Sequence, residues 1–582
     1  MMQIDEFRRR LPDIYNRLLG DVGWVFYTSV IVIAAFVVTA AREPEAVEQT
    51  AQAVLDITAA NVGWMYLLVT SGFVLFVFFL AISKFGDIRL GPEDEPPEFT
   101  FNSWLAMIFS GGMGVGLVFW GVAEPMMHFN EPPLGLAEAR TPVAAQIGMR
   151  YAFFHWGFHQ WANFTVVGLA IAYVRFRHNS HGLISETFRP LLGTRVDRSW
   201  GKIIDILAVV STIFGVATTL GLGALQINSG LASAELMEYD VGSQFLIMAG
   251  LGLLFTVSAV TPLETGIRYV SNANMVLAAG LLLFVLALGP TAFVFGELTQ
   301  TIGEYLGNII EMSLVTAPYS SEHWVQQWTM FYWAWGLSWA PFVGSFIARI
   351  SRGRTIREMV LGVMIVPVAL SMLWFSTFGG SAIHFELFEG VGIADAVAEE
   401  VPAGLYVLLD QLPFGNIATI AAIALVSLFV ITSANSATYV LGMFTSKGVL
   451  NPTRFVRIFW GFLQLLMAAV LLLSGGLYGL RTVSIVAAFP FMLLMVMMAW
   501  ALHRDLALDF WRREEKEQLL RERIERLLLK ESEREAARQA AEAIHPTVPE
   551  EPQTEPSAPA GELPTGQPGE DAARTQRGDV ID

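Results

Sequence analysis

Residues 328–341 read Trp-Thr-Met-Phe-Tyr-Trp-Ala-Trp-Gly-Leu-Ser-Trp-Ala-Pro and lie inside an apolar stretch long enough to span a bilayer. A second such stretch, residues 154–161, reads Phe-His-Trp-Gly-Phe-His-Gln-Trp. Tryptophans of membrane helices usually lie at the water interface. Indoles in the middle of a span indicate a pocket instead, because π faces attract soft cations and cage quaternary ammonium groups. The two stretches predict a transporter for a methylated onium solute, and ordinary core packing of the indoles is the alternative.

The composition is that of an integral membrane protein. Of the 582 residues, 54% are hydrophobic and only 15% are charged, whereas soluble domains carry about 25% charged residues. No cysteine is present, so no disulfide supports the fold. The net charge of −17 gives no reason to expect a nucleic-acid partner. The sequence contains no nucleotide-binding loop, metal-ligand cluster or Ser/His/Asp set, so we expect no enzymatic activity.

Hydropathy predicts twelve membrane spans, since a spanning helix needs about 20 mostly apolar residues. The candidate spans are residues 24–41, 62–83, 102–127, 144–174, 203–236, 244–261, 272–296, 326–348, 357–379, 417–445, 455–475 and 482–502. Lysine and arginine concentrate in alternate loops, and the opposite loops hold only Arg42, Arg140 and Arg481. By the positive-inside rule, both termini are predicted to face the cytoplasm. The protein is expected to be a multi-pass protein of the inner (plasma) membrane of a bacterial cell.

The span pattern predicts an all-α membrane protein with an internal repeat. The glycine-rich third span and the tryptophan-rich eighth span begin two units of five spans with opposite topology, as in an inverted repeat. An amphipathic outer helix lies between the units, and a charged helix and a Pro-rich disordered tail follow them. The predicted segments are 1–22 (cytoplasmic), 23–100 (two peripheral spans), 101–299 (first repeat), 300–324 (outer helix), 325–503 (second repeat), 504–544 (cytoplasmic helix) and 545–582 (tail).

Glycines predict a break inside the third span. Residues 111–116 read Gly-Gly-Met-Gly-Val-Gly, and bare backbone inside a bilayer is tolerated only where it lines a cavity. Secondary transporters bind their solutes at such discontinuous helices. Close helix packing through small residues is the alternative. Gly336 and Pro341 predict a similar weakness in the eighth span.

Several of these motifs resemble the betaine/carnitine/choline transporter family. They are Gly112–Gly116 followed by Gly121-Val122-Ala123-Glu124-Pro125, then Phe154-His155-Trp156, and the run from Trp328 to Arg354. The similarity covers roughly residues 20–510. It implies twelve spans, a leucine-transporter-type core formed by spans three to twelve, and a homotrimer.

The resemblance also implies the binding residues. The onium group would lie in an aromatic box formed by Trp156, Trp161, Phe164, Trp335 and Trp339. The bare backbone of Gly112, Met113, Gly114 and Gly116 would donate hydrogen bonds to a carboxylate. Phe164 stands where members often have Tyr, and Gly336 where many have another Trp, which removes one wall of the box.

Sodium is the co-transported ion that the resemblance implies. The hydroxyls of Thr432 and Ser433 and the Phe429 carbonyl would join the carbonyls of Ser110 and Met113. Bonding of these hydroxyls back to their own helix is the alternative. Thr212 and Phe342 match a second sodium site of some members, but Val216 replaces a hydroxyl that this site uses.

Two other groups of polar residues remain open at this stage. His155 and His159 are four residues apart and could bind a metal, but packing and hydrogen bonding are the preferred interpretation. Glu124, near the outer end of the third span, could act as a gate or as a structural hydrogen-bond acceptor.

The sequence thus predicts a sodium-coupled symporter that imports a zwitterionic quaternary ammonium or sulfonium osmolyte, such as glycine betaine, by alternating access. No carboxylate replaces Gly116, which favours zwitterions over a pure cation such as choline. A sodium-independent exchanger, or a choline, carnitine or ectoine carrier, is the alternative. The expected partners are the small osmolyte and membrane lipid.

Overall fold

The computed structural model describes residues 18–112, 114–260, 263–319 and 323–544, without the side chains of 109–112, 257–271, 542 and 544. Met113, residues 1–17 and the tail from 545 onward lie outside these ranges, so the interpretations of them stay predictions. The same holds for the side chains of Ser110 and Gly112. The chain divides into two units, Met1–Phe510 and Trp511–Asp582.

The described residues form helices and one isolated β-bridge, between Arg89 and Thr355. The longer helices are α1 Trp24–Arg42, α2 Pro44–Ile82, α3 Phe101–Gly112, α4 Val115–Asn130, α5 Pro142–Trp156, α6 Phe158–Arg177, α7 Ser199–Ser233, α8 Val241–Val260, α9 Leu263–Leu288, α10 Thr291–Leu314, α11 Phe331–Ile350, α12 Ile356–Phe375, α13 Gly415–Thr445, α14 Arg454–Leu473 and α15 Gly476–Ile544. Short helices at Arg189–Leu192, Ser381–His384, Ile393–Glu399 and Ala403–Asp410 connect them. The all-α prediction is confirmed throughout the described ranges.

Seven of the described helices are long and apolar enough to cross a membrane, or eight if one bent pair counts as a span. The seven are Trp24–Arg42, Pro44–Ile82, Ser199–Ser233, Ile356–Glu389, Gly415–Thr445, Arg454–Leu473 and Gly476–Ala541. The other predicted spans coincide with helices that are broken, bent or less apolar. The count of twelve and the inverted repeat therefore stay predictions.

Two predicted spans are each divided into two helices. The third divides between Gly112 and Val115, and Gly114 is extended there, with φ −158° and ψ −155°. The fourth divides at Gly157, where the Phe158 amide donates to the Tyr305 hydroxyl of α10 at 3.1 Å. Both interruptions leave backbone groups without helical partners in the middle of a predicted span. The glycine-rich motif predicted this for the third span.

The eighth span does not break where Gly336 and Pro341 predicted a weakness. Helix α11 continues through both residues, and the irregularity is a π-helical turn at Gln326–Met330 that precedes it. A proline is tolerated inside a membrane helix when local adjustments satisfy the freed backbone groups. The hydroxyl of Ser345 donates to the carbonyl of Pro341 at 2.6 Å, inside the same helix.

The predicted outer helix begins earlier than its sequence pattern suggested. Helix α9 ends at Leu288, and α10 starts at Thr291 after a bend of 108° between Asn272–Leu288 and Thr291–Leu314. Gly289 and Pro290 lie at the bend, and proline cannot continue the preceding hydrogen-bond ladder. Residues 291–296 thus belong to α10 and not to α9.

Small residues bring α6 and α11 close together. A Cβ atom added to Gly344 would lie 2.8 Å from Val167 and 3.0 Å from the Gly168 nitrogen. Glycine at such contacts lets helix backbones approach in membranes. This packing places the rings of α6 opposite those of α11 and so forms the candidate site.

Candidate functional site

A small cavity lies where the broken third span meets α5, α6 and α11. Its volume is about 30 Å³, far below the roughly 300–1,000 Å³ of typical small-molecule pockets. Binding of an osmolyte therefore requires the surrounding side chains to move apart. The lining residues are Gly114, Gly116, Leu117, Trp156, Gln160, Trp161, Phe164, Trp335 and Trp339; we call this set the aromatic pocket.

The five aromatic residues named from the sequence all line this pocket. Trp335 meets Trp156 and Trp339 at ring-centroid distances of 6.0 Å, with interplanar angles of 86° and 70°. Trp161 and Phe164 are 5.7 Å apart at 89°. These edge-to-face pairs leave ring faces directed at neighbouring space, as aromatic quadrupoles favour.

Two of the indoles share one backbone acceptor. The Nε1–H groups of Trp335 and Trp339 donate to the carbonyl oxygen of Gly215 on α7, at 3.3 and 3.0 Å. A buried indole N–H usually needs a partner, and this carbonyl supplies it for both rings. The bonds orient both rings, and one face of Trp335 is stacked on the Phe331 ring at 5.7 Å.

Glycine is required on the pocket side of α4. A Cβ atom at Gly116 would overlap the Trp335 ring and lie 3.0 Å from the Trp156 ring. A Cβ atom at Gly114 would lie 3.7 Å from the Ser433 hydroxyl and 3.9 Å from Trp339. The pocket wall here is bare backbone at the start of α4, beside α13.

Gln160 occupies the space left by the glycine in α11. The sequence comparison with the family treated Gly336 as a missing wall of the box. A Cβ atom added to Gly336 would lie 2.6 Å from the Gln160 Cδ and 2.7 Å from its Nε2. The wall is therefore an amide and not an opening. Sequence reasoning missed Gln160, although its position directly before Trp161 was the available signal.

Glu124 is the centre of a buried polar cluster next to the pocket. Its Oε1 lies 2.6 Å from the His155 Nδ1, and its Oε2 accepts from the Trp156 Nε1–H at 2.9 Å and the Tyr332 hydroxyl at 2.6 Å. The His128 Nε2 lies 3.4 Å from Oε1. We call Glu124, His128, His155, Trp156 and Tyr332 the Glu124 cluster.

The Glu124 cluster connects α4, α5 and α11 by directional bonds. Its geometry favours the structural interpretation of Glu124 over a gate, since both carboxylate oxygens are bonded to fixed neighbours. The guanidinium of Arg481 lies over the rings of Trp328 at 4.6 Å and Phe331 at 4.7 Å, close enough to Glu124 to interact electrostatically. His128 and Tyr332 are members that sequence reasoning missed.

The two histidines considered as a metal pair do not act together. His159 lies 2.9 Å from the Ser313 hydroxyl and stacks on Trp333 at 4.9 Å. The carboxylate of Glu124 and the imidazoles of His128 and His155 do offer ligand atoms within 4.8 Å of one another. A zinc ion bound at 2.0–2.2 Å would hold two ligand atoms about 3.3 Å apart. The 2.6 Å separation of His155 and Glu124 is that of a direct hydrogen bond.

The residues named for sodium are only partly assembled. Ser433 faces Gly114, as described above. The Thr432 hydroxyl donates within its own helix, to Leu428 at 2.8 Å, and accepts from the Asn274 amide at 3.0 Å. The Phe429 carbonyl lies 3.1 Å from the same hydroxyl. Back-bonding, the alternative kept open from the sequence, is therefore present at Thr432.

The residues named for a second sodium site are also engaged elsewhere. Thr212 donates to the carbonyl of Ala208 at 2.7 Å. Thr218 and Thr219 are the nearby hydroxyls that could compensate for Val216, but the Thr218 hydroxyl lies 2.6 Å from that of Ser484 and the Thr219 hydroxyl donates to the Gly215 carbonyl at 3.3 Å. Phe342 lines a different cavity.

This second cavity lies one turn along α11 from the aromatic pocket. Its volume is about 360 Å³, and its lining includes Phe342, Phe346, Arg175, Arg349 and Tyr439. The Phe342 ring is 5.6 Å from that of Trp339. The larger cavity therefore begins beside the pocket, and its lining carries two arginines, Arg175 and Arg349.

Comparison with known proteins identifies close similarity over most of the chain. The family model described as betaine/carnitine/choline family transporter matches residues 24–510. The chain is 45% identical to a glycine betaine transporter, OpuD, of Bacillus subtilis, over 84% of this chain and 95% of the relative. It is 43% identical to an ectoine/hydroxyectoine transporter of Virgibacillus pantothenticus (83% and 96%) and 42% identical to a probable glycine betaine transporter of Desulfitobacterium hafniense (83% and 97%).

Proposed function

This chain belongs to the betaine/carnitine/choline transporter family, and we propose that it imports a zwitterionic osmolyte such as glycine betaine together with sodium. Like its relatives, it is a membrane transporter and not an enzyme. The proposal places it in the bacterial plasma membrane with twelve spans and both termini in the cytoplasm. Transport would proceed by alternating access.

One observation carries the proposal: five aromatic rings meet beside the bare backbone of a broken helix. The rings suit the cationic end of the solute, and each cation–π contact contributes about 0.5–2 kcal/mol in a dry site. The carboxylate end needs donors. The first turn of α4 begins at Val115 and offers unpaired N–H groups and the positive end of the helix dipole.

A zwitterion suits this pocket better than a pure cation does. Within the described residues, no carboxylate side chain lines the pocket, so a cation without its own negative charge would remain uncompensated there. Glu124 lies behind the Trp156 indole and is already bonded to its neighbours. The relatives named for glycine betaine and ectoine both transport zwitterions, which agrees with this argument.

Sodium coupling is supported by the position of Ser433 against the break in the third span. Hard cations prefer oxygen ligands, and interrupted helices supply carbonyl oxygens for them. We propose that Ser433, Thr432 and the carbonyls of Phe429, Ser110 and Met113 bind the ion. Thr432 would have to release its bond to Asn274 when sodium binds.

Alternating access is supported by the unequal cavities along α11. The aromatic pocket is nearly closed, and the larger cavity at Phe342 begins one helical turn away. We propose that this larger cavity is part of the path to the cytoplasm. The homotrimer implied by the family remains part of the proposal, and cross-linking in native membranes tests it.

Uptake into proteoliposomes tests the proposed function. Purified full-length protein is reconstituted, and labelled glycine betaine, choline, carnitine and ectoine are supplied with or without an inward sodium gradient. We expect zwitterion uptake that depends on sodium. Uptake that persists unchanged without sodium would instead support a sodium-independent exchanger, and uptake of choline alone would overturn the zwitterion assignment.

A further inference from the structure

We infer that Gln160 determines the specificity of the aromatic pocket by accepting a hydrogen bond from the cationic head group of the solute. The pocket then favours zwitterions whose cation carries N–H donors, such as the cyclic amidinium of ectoine, over fully methylated ammonium zwitterions. This inference rests on the proposed function and specifies the substrate class of the same site.

The first observation is a buried amide that is not bonded. Gln160 lines the pocket, and its side chain is nine-tenths buried, with a relative exposure of 9%. Its Oε1 atom has no hydrogen-bond partner among the residues that the structure describes. A buried polar group without a partner is costly, so such a group in a binding pocket is expected to bond to the ligand.

The second observation is the glycine on which the amide rests. Any side chain at position 336 would collide with the Gln160 amide, since a Cβ atom there would overlap its Oε1 and lie 2.6 Å from its Cδ. Gly336 and Gln160 are thus one structural unit. At the wall where many members of the family have an indole, this chain places an amide.

Exchanging a ring for an amide changes which head groups the pocket stabilises. A trimethylammonium group has no N–H, so it leaves the Gln160 oxygen unpaired and loses one ring face. An amidinium ion is planar and carries N–H groups, and a hydrogen bond from a charged donor is about twice as strong as a neutral one. The remaining rings of Trp156, Trp335 and Trp339 still attract the delocalised charge.

A purely packing role for Gln160 makes a different prediction. A side chain that only fills space contributes equally to every solute that touches the same surface. A hydrogen-bond acceptor contributes only when the solute donates. The ratio of two apparent affinities therefore separates the two roles, while either affinity alone does not.

The experiment compares ectoine and glycine betaine in proteoliposomes made with wild-type protein or with Gln160→Leu. We expect the KM for ectoine to rise about tenfold in the variant, which corresponds to losing one charged hydrogen bond. The KM for glycine betaine is expected to stay within about twofold, because its head group makes no such bond.

The matched control is Gln464→Leu on α14. Gln464 is also a buried amide without a partner among the described residues, but it does not line the pocket. Its substitution should leave the ratio of the two KM values unchanged. If Gln160→Leu does not yield folded protein, Gly336→Ala displaces the amide from the other side and should shift the ratio in the same direction.

The outcomes separate the two proposals. Wild-type protein that transports neither solute overturns the proposed function. Wild-type protein that transports glycine betaine but has no measurable affinity for ectoine leaves the function intact and overturns the inference. An equal change in both KM values, or no change in their ratio, in Gln160→Leu or Gly336→Ala also overturns it.

Discussion

The aromatic pocket and the Glu124 cluster are adjacent, share Trp156, and are held together in different ways. In the cluster, both oxygens of Glu124 are bonded to side chains on neighbouring helices at 2.6–2.9 Å. In the pocket, rings touch edge to face about 6 Å apart, and an amide oxygen is left unbonded. Directional bonds specify one arrangement, whereas ring contacts are weak individually and permit several.

This contrast indicates a division of labour between the two regions. Trp156 presents its ring to the pocket and its Nε1–H to Glu124, so one side of the pocket is anchored. The Nε1–H groups of Trp335 and Trp339 instead share one backbone acceptor, the Gly215 carbonyl. We expect the pocket to open by movement of the Trp335 and Trp339 side chains, while the Glu124 cluster keeps α4, α5 and α11 together.

Loss of the anchor is expected to have the largest effect. Glu124→Ala removes the acceptor for His155, Trp156 and Tyr332 and leaves three buried polar groups unpaired. Removing one partner of a buried charged network costs about 3–5 kcal/mol. We expect a lower melting temperature in detergent and almost no osmolyte uptake. Glu138→Ala, on an exposed residue, is the control. If Glu124→Ala melts at the wild-type temperature, Glu124 does not anchor the neighbouring helices.

Loss of one pocket ring should reduce binding without comparable loss of stability. Trp339→Leu removes a π face, worth up to about 2 kcal/mol, so the KM for the transported zwitterion should rise about 10- to 30-fold. The melting temperature of Trp339→Leu should fall much less than that of Glu124→Ala. Trp500→Leu removes an indole that is 67% exposed and serves as the control. Unchanged transport in Trp339→Leu would contradict a cage at this position.

Removing the Thr432 hydroxyl tests whether the pocket side of α13 binds an ion. Thr432→Val keeps the shape of the side chain but removes its oxygen, so the sodium concentration for half-maximal uptake should rise about fivefold, equivalent to about 1 kcal/mol. Uptake at saturating sodium should change little. Ser427→Ala, which removes another back-bonded hydroxyl from the same helix, should leave the sodium dependence unaltered. A sodium curve identical to the wild type in Thr432→Val would exclude this ligand.

Loss of an exposed ion pair is expected to have the smallest effect on the melting temperature. The pair is a comparison for Glu124, which is buried. The His178 ring lies 2.9 Å from Asp505 and is 41% exposed. The hydrogen bond to Asp505 raises the pKa of His178 above its ordinary value. The pair therefore contributes fully below the unfolded pKa of about 6.5 and loses its contribution as the pH rises through the higher folded value.

Because solvent screens this pair, its contribution is expected to be only a few tenths of a kcal/mol. The difference in melting temperature between wild type and His178→Gln should be small at low pH and vanish at high pH. A difference that instead grows with rising pH would contradict the assigned direction of the pKa shift.

Much of the fold and several site residues could be predicted from the chain alone. The run of glycines at residues 111–116 predicted the break in the third span, because glycine disfavours helix and bare backbone needs a cavity in a membrane. Mid-span tryptophans indicated which side chains would meet. The break at Gly157, the continuity of α11 through Pro341 and the bend after Leu288 were not predicted. Each depends on which neighbour satisfies the freed backbone groups, such as the Tyr305 hydroxyl at Phe158.

The class of protein, the helical composition and the aromatic character of the site could be read from the chain, because they follow from apolar length, residue type and local backbone preference. Three features emerged only when the helices packed together: Gln160 rests on Gly336, Glu124 bonds three neighbours, and the pocket is nearly closed. Those relationships join residues up to about two hundred positions apart in the chain. Their distances depend on how α4, α5, α6 and α11 pack, which no local pattern specifies.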